Sequence, residues 1–199
     1  MKKYEYLILA VLFGYGFVLR IYSLGFQSLW IDESFSINAS LAVLRHFYPL
    51  LESGFFYSGY LLHTYLLSGM FFLFGVSEFT ARLPSVVFGS LFIVLVYLFV
   101  RYLFNARVAI FSSILVAFST LEIAWSRQAR SYVMLQFVFF LSLFLFLYFV
   151  RTKNLKWFYY SLIVAFIGFF VHPFSLFLFV IYFVYGIVNF KFFSGVFNK

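Results

Sequence analysis

Along the chain, long runs of apolar residues alternate with short polar interruptions, and both the length and the spacing of the runs carry information. Six segments approach the roughly 20 residues needed to cross a hydrocarbon core: 6–24, 84–104, 108–125, 133–150, 157–171 and 173–190. A seventh, 60–74, is about as long as the shortest of these but carries His63, Thr64, Ser68 and Gly69. Between the first and second spans, Ile37, Leu41, Leu44 and Tyr48 recur at helical spacing, while Glu33, Ser36 and Ser40 mark another face. That pattern predicts a helix lying in a membrane interface, with 60–74 as a second one.

Charge decides whether 60–74 crosses, because short loops rich in Lys and Arg stay on the cytoplasmic side. If it does not cross, Lys2, Lys3, Arg101, Arg107, Arg151, Lys153, Lys156, Lys191 and Lys199 face inward and five Arg face outward. If it crosses, every later loop inverts and nine of the fourteen basic residues lie outside. The expectation is therefore an all-α integral membrane protein of about six spans with a cytoplasmic N-terminus, multi-pass in a plasma or inner membrane. Its first outer loop, about 25–83, carries two interfacial amphipathic helices. No internal repeat or soluble domain interrupts residues 1–199, which read as one transmembrane module.

Composition agrees: 65% of residues are hydrophobic, 27% aromatic and 10% charged, against about 25% charged in soluble domains, and mean hydropathy is +1.05. The formal charge of +8 is scattered between apolar runs rather than gathered on a basic face, which excludes nucleic acid as a partner and reads as a topology signal. With no Cys there is no disulfide framework, thiolate metal site or thiol nucleophile. The N-terminal Met1-Lys2-Lys3 leads into an apolar run that passes Arg20 without a small-x-small cleavage site, so it reads as an uncleaved first helix.

The six-span arrangement gathers five of the six acids, all but Glu5, on the outer side. Trp30-Ile31-Asp32-Glu33-Ser34 puts adjacent carboxylates where the chain starts the first interfacial helix. Asp32 can serve as an N-cap there, or accept a proton from an acceptor hydroxyl, with Glu33 positioning it or binding a cation. Trp125-Ser126-Arg127-Gln128-Ala129-Arg130-Ser131-Tyr132 falls at an outer boundary. If that stretch is helical, Arg127 and Arg130 share a side, either to snorkel to headgroups or to clamp an anion such as a lipid-linked phosphate. His172-Pro173 opens the last span. Glu78 and Arg82 have the spacing of an ordinary ion pair along one helix.

Taken in order, Leu19-Arg20-Ile21-Tyr22-Ser23-Leu24, Trp30-Ile31-Asp32-Glu33, Phe74-Gly75-Val76-Ser77-Glu78 with Arg82-Leu83-Pro84-Ser85, Trp125 to Tyr132, and His172 resemble the N-terminal membrane module of GT-C glycosyltransferases. The nearest groups are the protein O-mannosyltransferases, aminoarabinose transferases and rhizobial lipopolysaccharide glycosyltransferases. The resemblance implies an enzyme that moves a sugar from a polyprenyl-phosphate carrier to a glycan, lipid or protein acceptor on the outer face, with inversion. It assigns Asp32 to the acceptor nucleophile and Glu33 to its neighbouring acid. It matches Arg82 to the Arg-Leu-Pro motif and Arg130 and Tyr132 to the fourth outer motif. With Arg127 and His172, these form the donor-phosphate group. A divalent metal is left open.

The chain departs from the family pattern in three places. Ser58-Gly59-Tyr60-Leu61 stands where His-Pro-Pro is common, and Arg127-Gln128 replaces Gln-Glu. Relatives usually continue into a soluble outer domain that 1–199 does not include, which raises a C-terminal partner subunit and a non-catalytic or half-enzyme subunit as the alternative. A transporter fits less well, since charges cluster at one boundary instead of the midplane.

Overall fold

The computed structural model describes residues 3–190. Lys2, Lys191 and Lys199, three of the residues in the charge argument, lie outside the described residues.

Nine α-helices are present among the described residues: α1 (Lys3–Ile21), α2 (Ile31–His46), α3 (Leu61–Phe74), α4 (Glu78–Leu103), α5 (Ala106–Phe118), α6 (Thr120–Ser126), α7 (Tyr132–Thr152), α8 (Leu155–Val171) and α9 (Leu176–Val188). Helices α1, α4 and α7 are long and apolar enough to cross a membrane, and α5 with α6, bent by 58° at their junction, make a fourth candidate. Helices α8 and α9 stand where two further spans are expected, but have 17 and 13 residues. Length thus supports three to four spans.

Helix α4 begins at Glu78, six residues before the expected start at Pro84, because Ser77 caps it by accepting the Thr80 N–H at 3.1 Å. Pro84 sits inside the helix, where it has no N–H to give the carbonyl one turn back.

Two apolar seams hold the bundle. Leu9, Tyr97 and Ala109, with Leu12, Ile93 and Ala117, join α1, α4 and α5. Phe146, Phe149, Ala165, Leu178 and Tyr182 join α7, α8 and α9. Phe92 of α4 packs edge-on against Phe140 of α7 and connects the two halves.

The break between α5 and α6 is satisfied by a buried cation. Helix α6 starts afresh at Ser119, whose hydroxyl accepts from Glu122 N, and a new start leaves carbonyls of the preceding turn without helical donors. Arg20 of α1, fully buried, donates to the carbonyls of Val116 and Ala117 at 3.1 and 3.2 Å, to Gly16 O at 3.0 Å and to Ser126 Oγ at 3.2 Å. Gly16 and Gly89 make room for it: a Cβ on Gly16 would lie 3.3 Å from Arg20 Nη1, and one on Gly89 would lie 3.2 Å from its Nε.

Helices α2 and α3 lie across one end of the bundle. Gly25, just past α1, meets Phe79 at the start of α4, and Tyr60, just before α3, packs at a tilt against His172 at the α8–α9 junction. Helix α3 therefore begins and ends on the same side of the bundle. Both faces of α2 meet protein: Ile37 is buried with Leu41 packed against its cluster, and the polar face is inside as well. Glu33, Ser36 and Ser40 are buried, while Leu44 is exposed. The cause is hydrogen bonding: Ser40 Oγ donates to Ser36 O and to Thr64 O of α3, so this polar face is satisfied by protein.

Candidate functional site

The candidate site residues converge at this end in two layers. The inner layer is built on Glu33. Helix α2 starts with Trp30 as its N-cap, not Asp32; Glu33, in the first turn, turns back so that Oε2 accepts the Trp30 N–H at 3.0 Å. The same carboxylate receives two parallel bonds of 2.9 Å from Arg82 Nε and Nη2, and its Oε1 takes the Ala129 N–H at 2.7 Å. Arg82 spends its remaining donors on the carbonyls of Leu24, Gln27 and Ser28. Burial pushes the Glu33 carboxyl up, but the bonds from Arg82, Trp30 and Ala129 outweigh it and hold the group below its ordinary range. Arg82 pairs with Glu33 across the fold, and not with Glu78 along the helix.

The outer layer is built on Arg130. Residues 127–131 are a turn between α6 and α7 and not a continuous helix, so the two Arg part company. Arg127 points to the end of α1, donating to the carbonyls of Arg20, Tyr22 and Ser23. Arg130 turns to α2: Nη1 donates to Asp32 O at 2.9 Å and reaches Tyr57 OH at 3.3 Å, and Nη2 donates to Tyr132 OH at 3.1 Å. Nη2 also lies 4.0 Å from Asp32 Oδ2, and the Asp32 side chain is 58% exposed.

Aromatic rings surround this guanidinium, with its Cζ 5.6 Å from the Tyr60 ring and 5.2 Å from the Tyr132 ring. His172 lies against both rings, and its Nδ1 accepts the Phe174 N–H at 3.1 Å, capping the turn that Pro173 opens. Burial first, then the nearby Arg130 charge, pushes His172 down, so its imidazole is neutral with the proton on Nε2.

The structure thus brings Asp32, Arg130, Tyr132 and His172 together, sets Glu33 and Arg82 beneath them as a buried pair, and holds Arg127 apart. It adds residues that sequence reasoning passed over. Tyr57 is delivered by a tight loop in which Leu51 N and Tyr57 N bond to Phe55 O and Pro49 O, with Gly54 at φ +78°. Tyr60 and His63 stand at the start of α3; both His63 nitrogens and Arg130 Nε are buried without a partner. Aromatic Tyr57 and Tyr60 flanking a Ser-Gly pair was the available signal.

A cavity of about 390 Å³ opens beside the Glu33–Arg82 pair, lined also by Gln27, Trp30, Thr120, Arg127 and Gln128. Arg127 and Gln128, the two positions that depart from the expected motif, both line it. Among the described residues no group of three or more His, Cys, Asp or Glu is placed to hold a metal ion.

The pattern of the family described as dolichyl-phosphate-mannose-protein mannosyltransferase matches residues 60–194, more than half of the chain. Comparison with curated proteins and with solved structures gave no match.

Proposed function

Because the chain belongs to the dolichyl-phosphate-mannose-protein mannosyltransferase family, a group of GT-C glycosyltransferases, we propose that it transfers a sugar from a polyprenyl-phosphate carrier to an acceptor hydroxyl at the outer membrane face, with inversion. The observation that carries this reading is the meeting of Asp32 and Arg130, an exposed carboxylate 4.0 Å from a guanidinium caged by tyrosines.

Each group has one task. Cleavage of the bond between the anomeric carbon and the phosphate oxygen leaves the carrier phosphate with the bonding pair and one more negative charge. A fixed cation lowers that barrier, most effectively where water is scarce. Arg130 is that cation; Tyr132 holds its Nη2 edge, and the Nε2–H of His172 is a neutral donor beside it. Asp32 accepts the proton of the acceptor hydroxyl as its oxygen bonds to the anomeric carbon from the opposite face. The products are an inverted glycoside and polyprenyl phosphate.

Glu33 and Arg82 enter as positioning residues, since their lone pairs and donors are committed to each other and to backbone. Arg127 anchors the α6–α7 turn to α1 and thereby places Arg130. In this reading α8 and α9 complete six spans, α3 rests in the interface, and the N-terminus is cytoplasmic.

The test is sugar transfer from a panel of polyprenyl-phosphate sugars in membranes containing the chain, wild type against Asp32→Asn at matched expression. Transfer that is lost in the variant while donor binding persists supports the assignment. Equal transfer by both removes Asp32 from the role.

A further inference from the structure

The polar groups around the 390 Å³ cavity fall into two sets. One set is spent. Glu33 and Arg82 bond to each other and to backbone, and Arg127 gives its guanidinium to three carbonyls at the end of α1. The other set is free. The amides of Gln27 and Gln128, the indole N–H of Trp30 and the hydroxyl of Thr120 have no side-chain hydrogen bond to any described residue. Trp30, at 61% exposed, presents its indole at the cavity mouth.

What fits is set by what is left over. An anion would find Arg82 spent on Glu33 and backbone, and Arg127 held by three carbonyls at the end of α1 with only Nε and one Nη2 N–H left over. It would do better at Arg130, whose guanidinium lies between the Tyr60 and Tyr132 rings. An apolar ligand would bury four neutral polar groups without partners, each at a cost. A neutral ligand with several hydroxyls and one apolar face satisfies all of them. Its hydroxyls bond to two planar amides and the Thr120 hydroxyl, and its C–H face lies on the indole. The volume falls within the about 300–1,000 Å³ typical of small-molecule sites.

We propose that this cavity is a carbohydrate subsite, in which Trp30 stacks on a pyranose ring whose hydroxyls are read by Gln27 and Gln128. Asp32 does not itself line the cavity, but it is next in sequence to Glu33, which does. The inference rests on the glycosyltransferase reading, and the ring can be either the acceptor's or the donor's.

The experiment uses the full chain in lipid nanodiscs with Trp125→Phe and Trp157→Phe, which leaves Trp30 as its single indole, since the chain has three Trp. Its emission is titrated with methyl glycosides of glucose, mannose, galactose and N-acetylglucosamine, with polyprenyl-phosphate sugars, and with polyprenyl phosphate alone. A saturable shift with a glycoside places the acceptor ring in the cavity; a shift only with the sugar-bearing carrier places the donor ring there. In either case Gln27→Ala with Gln128→Ala weakens the response tenfold or more, while thermal unfolding is unchanged.

No response to any sugar, or the same response to bare polyprenyl phosphate, overturns the subsite. The two readings separate cleanly. Transfer activity without a Trp30 response retains the enzyme and discards the subsite, and a sugar response without transfer under any donor does the opposite.

Discussion

Glu33 and Arg82 are joined by two parallel hydrogen bonds of 2.9 Å, both side chains almost wholly buried, across 49 positions of sequence. Through that pair and its backbone bonds the end of α1, the start of α2, the first turns of α4 and the α6–α7 turn become one unit. Breaking a buried pair from one side leaves an uncompensated charge, which costs about 3–5 kcal/mol. Arg82→Leu is therefore expected to lower the unfolding midpoint in detergent sharply, and Glu33→Gln to do so less, because the amide keeps the shape and one acceptor. The pair also predicts a pH dependence. The folded carboxyl of Glu33 sits below its ordinary value, so its stabilisation is complete above the ordinary carboxylate range and is lost as pH falls through the folded value. That acid step is expected to be absent from the unfolding profile of Glu33→Gln.

Asp32 is the opposite case. Its carboxylate is 58% exposed and 4.0 Å from Arg130, and such a pair is worth about 0–1 kcal/mol. Asp32→Asn is expected to unfold with the wild type while sugar transfer falls by about 10²–10⁴-fold. A loss of stability as large as the Arg82 variant's would make Asp32 structural.

Arg130 makes separate bonds from its two Nη groups and keeps Nε unspent, a geometry a lysine ammonium cannot copy. Arg130→Lys is expected to weaken binding of polyprenyl phosphate about tenfold or more, measured by isothermal titration. Unaltered affinity would move the phosphate elsewhere.

His63 is buried with neither nitrogen bonded, and burial, followed by the Arg130 charge, pushes it down to about 4. Between its ordinary value of 6.5 and about 4 the unfolded chain holds the proton and the folded one does not, so stability declines as pH drops through that window. His63→Leu is expected to abolish that decline. It is also expected to raise stability at neutral pH by about 1–3 kcal/mol, the cost of an unsatisfied buried group. A lower unfolding midpoint in the variant would show that the imidazole has partners in the membrane-bound protein.

Gly89 faces the α6 end. A Cβ there would run into the Ser126 hydroxyl and lie 2.8 Å from Ser126 Cβ and 3.2 Å from Arg20 Nε. Gly89→Ala is expected to cost about 1–3 kcal/mol by overpacking. It should also reduce transfer without touching the site, because Ser126 is next to Arg127 at the head of the turn that places Arg130. Full activity and stability would mean that α6 is free to shift.

The sequence by itself determined the helical class and the lipid solvent, because apolar runs of span length leave no other home for so much hydrophobic surface. It also pointed to the family, which the match over residues 60–194 bears out. It could not tell which charges face a ligand and which face each other. Partner choice is a matter of distance across the fold, and Glu78 is a sequence-local rival for Arg82 that loses to a carboxylate 49 positions away. The buried polar face of α2 was illegible for the same reason, as Ser40 is tolerable inside only when the Thr64 carbonyl is there to receive its proton. Arg20 reads as a membrane-boundary charge until the break between α5 and α6 exposes two carbonyls beside it. Periodicity and composition act along the chain and survive in a string of letters. Desolvation and hydrogen-bond pairing act through space, and only the tertiary structure decided them.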